Sequence, residues 1–335
     1  MCMYFTKGIN QNGYILCLQC NMKKYEHPIF SYIYNITFQC DDIILLIQEY
    51  IKVDMYQTIA CGFGHTVTLL QDKTVKCWGH NHYGQCNVPD SIQGKVVSVS
   101  CGGYFSIALL DDNSVKCWGN CKCKIPKSIQ GKIMSISCGG LYLIALLDDN
   151  TVKYLGNNRH KRSNIIDSIQ GKVISIECGD FHSMALLNDN TVKCWGNNTN
   201  GQCNVPDSIQ GNVISLSCGI AFSYALLNDN TVICWGNNYY GKRIVPDSIQ
   251  GKVILIDSSS GYLVTLLNNN TVKCWGNNRM DQCSLPDSTQ GNIILIKCGT
   301  VHSVALLNDM TIICWGNNNY GQCDVPEELK VMRKN

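Results

Sequence analysis

Cysteine is the residue type with most chemistry to offer in this chain, with 22 among 335 residues. Close cysteines can hold zinc, and cysteines that meet in space can bridge. Cys17 and Cys20 form one half of a zinc site, with Cys2 and Cys40 as distant partners, and Cys121-Lys122-Cys123 is a second close pair. Neither has a second pair at finger spacing, so no metal is assigned. Most other cysteines fall into three registers. Six precede Gly (Cys61, Cys101, Cys138, Cys178, Cys218, Cys298) and six precede Trp (Cys77, Cys117, Cys194, Cys234, Cys274, Cys314). Five follow Gln or its equivalent (Cys86, Cys123, Cys203, Cys283, Cys323). Within one unit the last two registers lie nine residues apart, or six between Cys117 and Cys123. A disulfide within the unit is one reading. Free thiols acting as small buried hydrophobes are the favoured one. Phosphate-binding Gly-Lys-Ser/Thr, Gly-x-Ser-x-Gly and His-Glu-x-x-His motifs are all missing, so no catalytic residue and no cofactor are assigned and the chain reads as a non-enzyme.

Registers imply a repeat. Trp-Gly recurs at Trp78, Trp118, Trp195, Trp235, Trp275 and Trp315, spaced 40, 77, 40, 40 and 40. Leu155-Gly156 supplies the copy that divides the 77 into 37 and 40. The Cys-Gly marker keeps the same phase and the same deletion, with Ser258 replacing one Cys. Each unit holds three short segments rich in β-branched and aromatic residues, as in "GKVISIECG", "HSMALLND" and "TVKCWGNN". Asp-Asn between the second and third suits a tight hairpin, and the Pro- and Gly-bearing "GQCNVPDSIQG" suits a crossing loop. Such a unit cannot bury a face alone. The predicted fold is all-β, a seven-bladed propeller of blades of about three antiparallel strands.

The chain enters the repeat near Asp54 with two segments and leaves with the third, Met310 to Pro326, so the expected closure is one blade shared by N- and C-terminal pieces. The domain reading is an extension or cap over 1–53, the propeller over 54–326 and a tail over 327–335. In the extension, Asp41 or Asp42 can cap a helix carrying Ile43, Leu46, Ile47, Tyr50 and Ile51 on one face, after a strand over Ile29 to Phe38. "IFSYI" faintly echoes an F-box core.

The unit resembles the repeat of the regulator-of-chromosome-condensation family. Its clearest instance runs from Cys178-Gly179 through His182-Ser183 and Ala185-Leu186 to Val192–Gln202. The 40-residue unit ending Gly-Gln-x-x-Val-Pro, Gly201 to Pro206, is similar to the family's short-repeat branch, which includes a bacterial β-lactamase inhibitor. The resemblance implies a rigid seven-bladed disc whose loops bind another protein. An abundance of Asn, Ile, Lys and Tyr fits an AT-rich genome, such as that of a large DNA virus.

Position four after the Cys-Gly cysteine holds a flat ring in every unit: His65, Phe105, Tyr142, His182, Phe222, Tyr262 and His302. Alternation of His with Phe and Tyr assigns this position to packing between blades rather than to metal. The six Trp are likewise structural. Partner-binding candidates lie where the loops depart from the repeat: Arg159, His160, Lys161 and Arg162; Tyr239, Tyr240, Lys242 and Arg243; and His82, Tyr83 and Arg279. Aromatic residues and Arg are favoured anchors. A net charge of +2 with 16% charged residues gives no field for nucleic acid. No apolar run spans a bilayer, and Met1 to Asn10 lacks a signal-peptide core. The expected molecule is an intracellular monomer that binds a protein. Nucleotide exchange on a Ran-type GTPase and stoichiometric inhibition of an enzyme are the alternative functions.

Overall fold

The computed structural model describes residues 59–156, 169–241 and 244–330, and these form seven three-stranded antiparallel sheets. Blade 1 is β1 (Ile59–Cys61), β2 (His65–Leu69) and β3 (Val75–Gly79). Blade 2 is β4 (Val96–Cys101), β5 (Phe105–Leu110) and β6 (Val115–Gly119). Blade 3 is β7 (Ile133–Cys138), β8 (Tyr142–Leu147) and β9 (Val152–Gly156), and blade 4 is β10 (Val173–Cys178), β11 (His182–Leu187) and β12 (Val192–Gly196). Blade 5 is β13 (Val213–Cys218), β14 (Phe222–Leu227) and β15 (Val232–Gly236). Blade 6 is β16 (Val253–Ser258), β17 (Tyr262–Leu267) and β18 (Val272–Gly276), and blade 7 is β19 (Ile293–Cys298), β20 (His302–Leu307) and β21 (Ile312–Gly316). The expected helix and strand of 1–53, and Cys2, Cys17, Cys20 and Cys40, lie outside the described residues.

Sequence accounts for each strand. The middle strand is covered on both faces by neighbouring blades, so it reads as an unbroken apolar or small run such as His-Ser-Met-Ala-Leu-Leu, buried throughout. The third strand alternates, with Val192 and Trp195 buried and Lys193 exposed. The hairpin between them turns on a left-handed residue, Asn in five blades (Asn190 at φ 60°) and Lys73 or Met310 in the others. In the linker beyond it, Gln210 accepts from Val192 N–H at 2.7 Å and donates to its carbonyl at 3.3 Å, occupying the outer strand's free edge. The same Gln–Val pairing recurs in blades 1 to 6, as with Gln93 on Val75.

There is one apolar cluster per pair of adjacent blades. Blades 1 and 2 share Val67, Ile92, Val99 and Trp118; blades 7 and 1 share Val304, Ile312, Ile59 and Trp78. The ring therefore closes, but not through a shared blade. β1 pairs with β2, and β21 pairs with β20, so each blade is built from three consecutive strands. A five-residue hairpin costs far less closure entropy than a strand from the opposite end of the chain. What crosses the seam is the C-terminal segment: Val325, and Leu329 of the short helix α1 (Glu327–Lys330), join the cluster, and Glu328 meets Lys76 of blade 1 at 3.2 Å.

Candidate functional site

Two pieces of each blade meet on one side of the ring. One is the two-residue turn after Cys-Gly; the other is the loop after Trp-Gly. A backbone bond ties them, as from His80 N–H to the Gly64 carbonyl (2.7 Å) and from Asn237 N–H to that of Ala221 (2.9 Å). The Asn pair shapes the loop. Asn197 Oδ1 accepts from Gln202 Nε2 at 3.0 Å, while Asn198 Oδ1 accepts from Cys203 N–H at 2.8 Å. We call this side the loop face.

Below it, the loop latches onto the next blade. The carbonyl of buried Gln85 accepts the Trp118 indole N–H at 2.9 Å and the Ser106 hydroxyl at 2.8 Å. Gln202 serves Trp235 and Ser223 in the same way, and Gln282 serves Trp315 and Ser303. Gln322 receives Trp78 at 3.0 Å, so the ring is closed by the contact used inside it.

The ring position adds a matching rule across the seams. His65 Nε2 lies 3.1 Å from the Ser106 hydroxyl, His182 Nε2 2.8 Å from Ser223 and His302 Nε2 2.9 Å from Thr66. Tyr142 and Tyr262 reach Ser183 and Ser303, both at 2.9 Å. Where the ring is Phe105 or Phe222, the next blade presents Leu143 or Leu263 instead, all buried. Polar tips thus face hydroxyls and bare rings face Leu. Because Ser106 and Ser223 donate to the Gln carbonyls, His65 and His182 must be the N–H donors through Nε2. Nδ1 of His65 and His182 is then left as a buried acceptor without a partner, and His302 Nδ1 is also buried without one. Burial pulls His65 and His182 down to about 4 and His302 to about 3, so the three are neutral at pH 7. A Cβ on Gly62, Gly102 or Gly139 would strike the following ring, so the Cys-Gly marker makes room for it.

The cysteine registers differ from the favoured expectation of free thiols. The Cys-Gly register does hold free, buried or half-buried thiols, with burial pushing Cys178 up to about 12. In the other two registers, Cys274–Cys283 is a disulfide and Cys117 is bonded to Cys121. Cys123 instead packs with Leu155 in the core between blades 2 and 3. On the loop face, the loop after Trp-Gly folds back beside the end of the third strand and brings Cys274 to Cys283, nine residues on, which spacing alone left open.

On the loop face, six rings from three blades form one cluster. His80 packs edge-on to Tyr320 at 4.6 Å, His82 against Tyr83 at 5.1 Å, Tyr83 against Tyr104 at 5.3 Å and Phe63 against Tyr104 at 5.5 Å. Tyr83 and Tyr320 are half exposed, at 49% and 50%. Burial and the neighbouring His82 hold His80 below its ordinary range. The candidates His82 and Tyr83 belong to this cluster; Phe63, His80, Tyr104 and Tyr320 were missed. The signal for Phe63 and Tyr104 was the variability of the two residues after Cys-Gly, and for His80 and Tyr320 that of the loop after Trp-Gly. A separate groove of about 440 Å³ across blades 5 to 7 holds the candidates Tyr239 and Arg279 beside Met280. Arg159, His160, Lys161, Arg162, Lys242 and Arg243, and the side chain of Tyr240, lie outside the described residues. Trp78, Trp118, Trp195, Trp235 and Trp315 are buried, and Trp275 is half-buried.

Cys-Gly turns from the blades line the axial opening. Just before them stand Glu177, Asp257 and Lys297, the last two paired at 3.1 Å with Asp257 also accepting Cys298 N–H. Burial raises Glu177 to about 7, against the pull of Lys297. Asp257 holds the Lys297 ammonium above its ordinary range. Among the described residues no group of three or more His, Cys, Asp or Glu can hold a metal ion, and no helix is long and apolar enough to cross a membrane.

Five segments match the regulator of chromosome condensation (RCC1) repeat: 56–85, 96–120, 173–202, 213–242 and 293–322. The two units without a match are those with Leu155 for Trp and Ser258-Ser259 for Cys-Gly. No curated protein sequence matches the chain. Among solved structures, the ectodomain of the receptor kinase CR4 of Physcomitrella patens is similar at a TM-score of 0.65 and 20% identity, covering 78% of this chain and 74% of that one. The CRINKLY ectodomain of the Arabidopsis thaliana receptor kinase ACR4 is similar at 0.63 and 20%, covering 78% and 95%. Prp20p of Saccharomyces cerevisiae, described with its binding properties to Gsp1p and histones, is similar at 0.63 and 19%, covering 75% and 82%. By its sheets and these likenesses the chain is a β-propeller, and five of its seven units match the RCC1 repeat.

Proposed function

We propose that the chain is a non-enzymatic protein–protein interaction scaffold whose loop face receives the partner. The observation that carries this reading is the cluster of Phe63, His80, His82, Tyr83, Tyr104 and Tyr320, which three blades hold rigidly with two Tyr rings half in water. Tyr presents a large area at low entropy cost, as a central binding anchor must. Everything beneath is fixed by the latches, so the partner meets a preorganised surface. The groove holding Tyr239, Arg279 and Met280 extends the same face.

Nucleotide exchange on a Ran-type GTPase is the second reading, drawn from the likeness to Prp20p. The test is quantitative capture from the native host with wild type, the double variant Tyr83→Ala/Tyr320→Ala, and Lys95→Ala on the opposite face. A partner that keeps its occupancy with Lys95→Ala and loses about tenfold or more with the double variant supports the first reading. Equal capture by all three overturns it. Faster release of labelled nucleotide from a Ran-type GTPase would favour the second.

A further inference from the structure

We propose that the paired cysteines of five blades are sites of reversible disulfide formation that lock each outgoing loop onto its own outer strand: Cys77 with Cys86, Cys117 with Cys121, Cys194 with Cys203, Cys274 with Cys283, and Cys314 with Cys323. Two of these are bonded in the structure. In two more, the sulfurs of Cys194 and Cys203 and of Cys314 and Cys323 stand 2.8 Å apart, well inside the contact of non-bonded sulfur atoms. Cys77 occupies the same place in blade 1, its thiol donating to the Gln85 carbonyl at 3.5 Å while Cys86 donates to that of His80.

What the reaction would change is specific. Before oxidation, the strand cysteine donates to the carbonyl that latches the next blade: Cys77 to Gln85, Cys194 to Gln202 and Cys314 to Gln322. Those carbonyls accept Trp118, Trp235 and Trp78. Oxidation removes the thiol donor and replaces it with a covalent tie, so the carbonyl belongs to the indole and Ser donors alone. The loop that carries it can no longer lift away from its strand.

The reaction needs a low-molecular-weight disulfide, RSSR, as oxidant. The thiolate of the more exposed loop cysteine, such as Cys323, attacks one sulfur of RSSR. A mixed disulfide forms and RS⁻ leaves. The strand thiol, Cys314, loses its proton and attacks the Cys323 sulfur, expelling the second RS⁻. Two thiols are oxidised and one RSSR is reduced to two RSH, which take up both protons. Turned from the Gln322 carbonyl to its neighbour, the single Cys314 S–H donates to the Cys323 thiolate 2.8 Å away, which lowers Cys323 and raises Cys314. The Cys-Gly thiols have no such neighbour and are held protonated by burial, as Cys178 is at about 12.

The test uses the full chain, reduced and then equilibrated with oxidised and reduced glutathione, quenched by alkylation under denaturing conditions and mapped by peptide mass. The expected product carries the five named bridges, with Cys61, Cys101, Cys138, Cys178, Cys218 and Cys298 alkylated. Free thiols at the five pairs in the oxidising mixture, or bridges between registers other than these, overturn the proposal. Limited proteolysis within 198–205 gives the second readout. Oxidation should slow cleavage several-fold in wild type and leave the Cys194→Ser/Cys203→Ser variant unchanged. Equal slowing in both overturns the locking role.

Discussion

The seam between blades 1 and 2 and the seam between blades 2 and 3 solve one problem in opposite ways. The first is wet chemistry in a dry place: His65 meets Ser106, and Gln85 receives both Ser106 and Trp118. The second is apolar at the same positions, with Phe105, Leu143 and Leu155 where those polar groups stood and Cys123 and Ile125 filling in from the loop. The two irregularities of blades 2 and 3 are therefore one. The loop of blade 2 is three residues shorter and brings no latching Gln. An indole at 155 would bury its N–H without an acceptor, and Leu155 has none to bury. The indole and its acceptor are kept together or lost together.

The closing seam is where breaking the polar arrangement should cost most. Ending the chain after Gly316 removes the Gln322 carbonyl, Val325 and Leu329 together. The expected outcome is loss of the cooperative calorimetric transition, a deficit of about 5 kcal/mol or more. A truncated chain that melts like wild type would show that a latch is dispensable.

Acid is next. The three buried His fold with their protonation suppressed to about 4, 4 and 3 against an ordinary 6.5. The unfolded chain therefore binds more protons than the folded one below pH 6.5. Stability is full above that value and falls as pH drops towards 4, by about 1.4 kcal/mol per His at pH 5.5. The double variant His65→Phe/Ser106→Leu converts the first seam to the Phe–Leu kind. It should fold and lose about a third of the His-linked slope in urea titrations. An unchanged slope would separate the pH response from the seams.

A smaller effect is expected from making the dry seam half polar. Leu155→Trp should cost about 1–3 kcal/mol in chemical denaturation, although Trp occupies the equivalent place in six blades. A neutral or stabilising result would mean that the short loop of blade 2 supplies an acceptor after all.

Much of this was legible in the sequence. Two markers of one phase gave seven units, and apolar runs against alternating ones separated the middle strand from the outer. Flat rings at His65 and its equivalents pointed to packing between blades. Their partners went unseen because Ser106 lies 41 residues from His65, one residue out of register with it. Comparing the two columns would have found the pairing. The acceptor for the indoles could not be found that way, because a backbone carbonyl leaves no side-chain signature. The shared blade was expected because the first two segments were counted as a partial blade, when with β3 they make a complete one. The aromatic cluster escaped because Tyr320 reaches His80 only after the ring has closed.

The latch has a direction: blades 1, 4, 6 and 7 each give a loop carbonyl forward to the indole of the next blade. A run of consecutive blades therefore ends in two unlike surfaces that fit each other. Within one chain, a ring of seven satisfies both. A shorter excised run, unable to bend round onto itself, would present its forward end to the rear of another copy and grow head to tail. The same property makes copy number easy to change, since a duplicated or lost 40-residue unit brings or removes one giver and one taker at once.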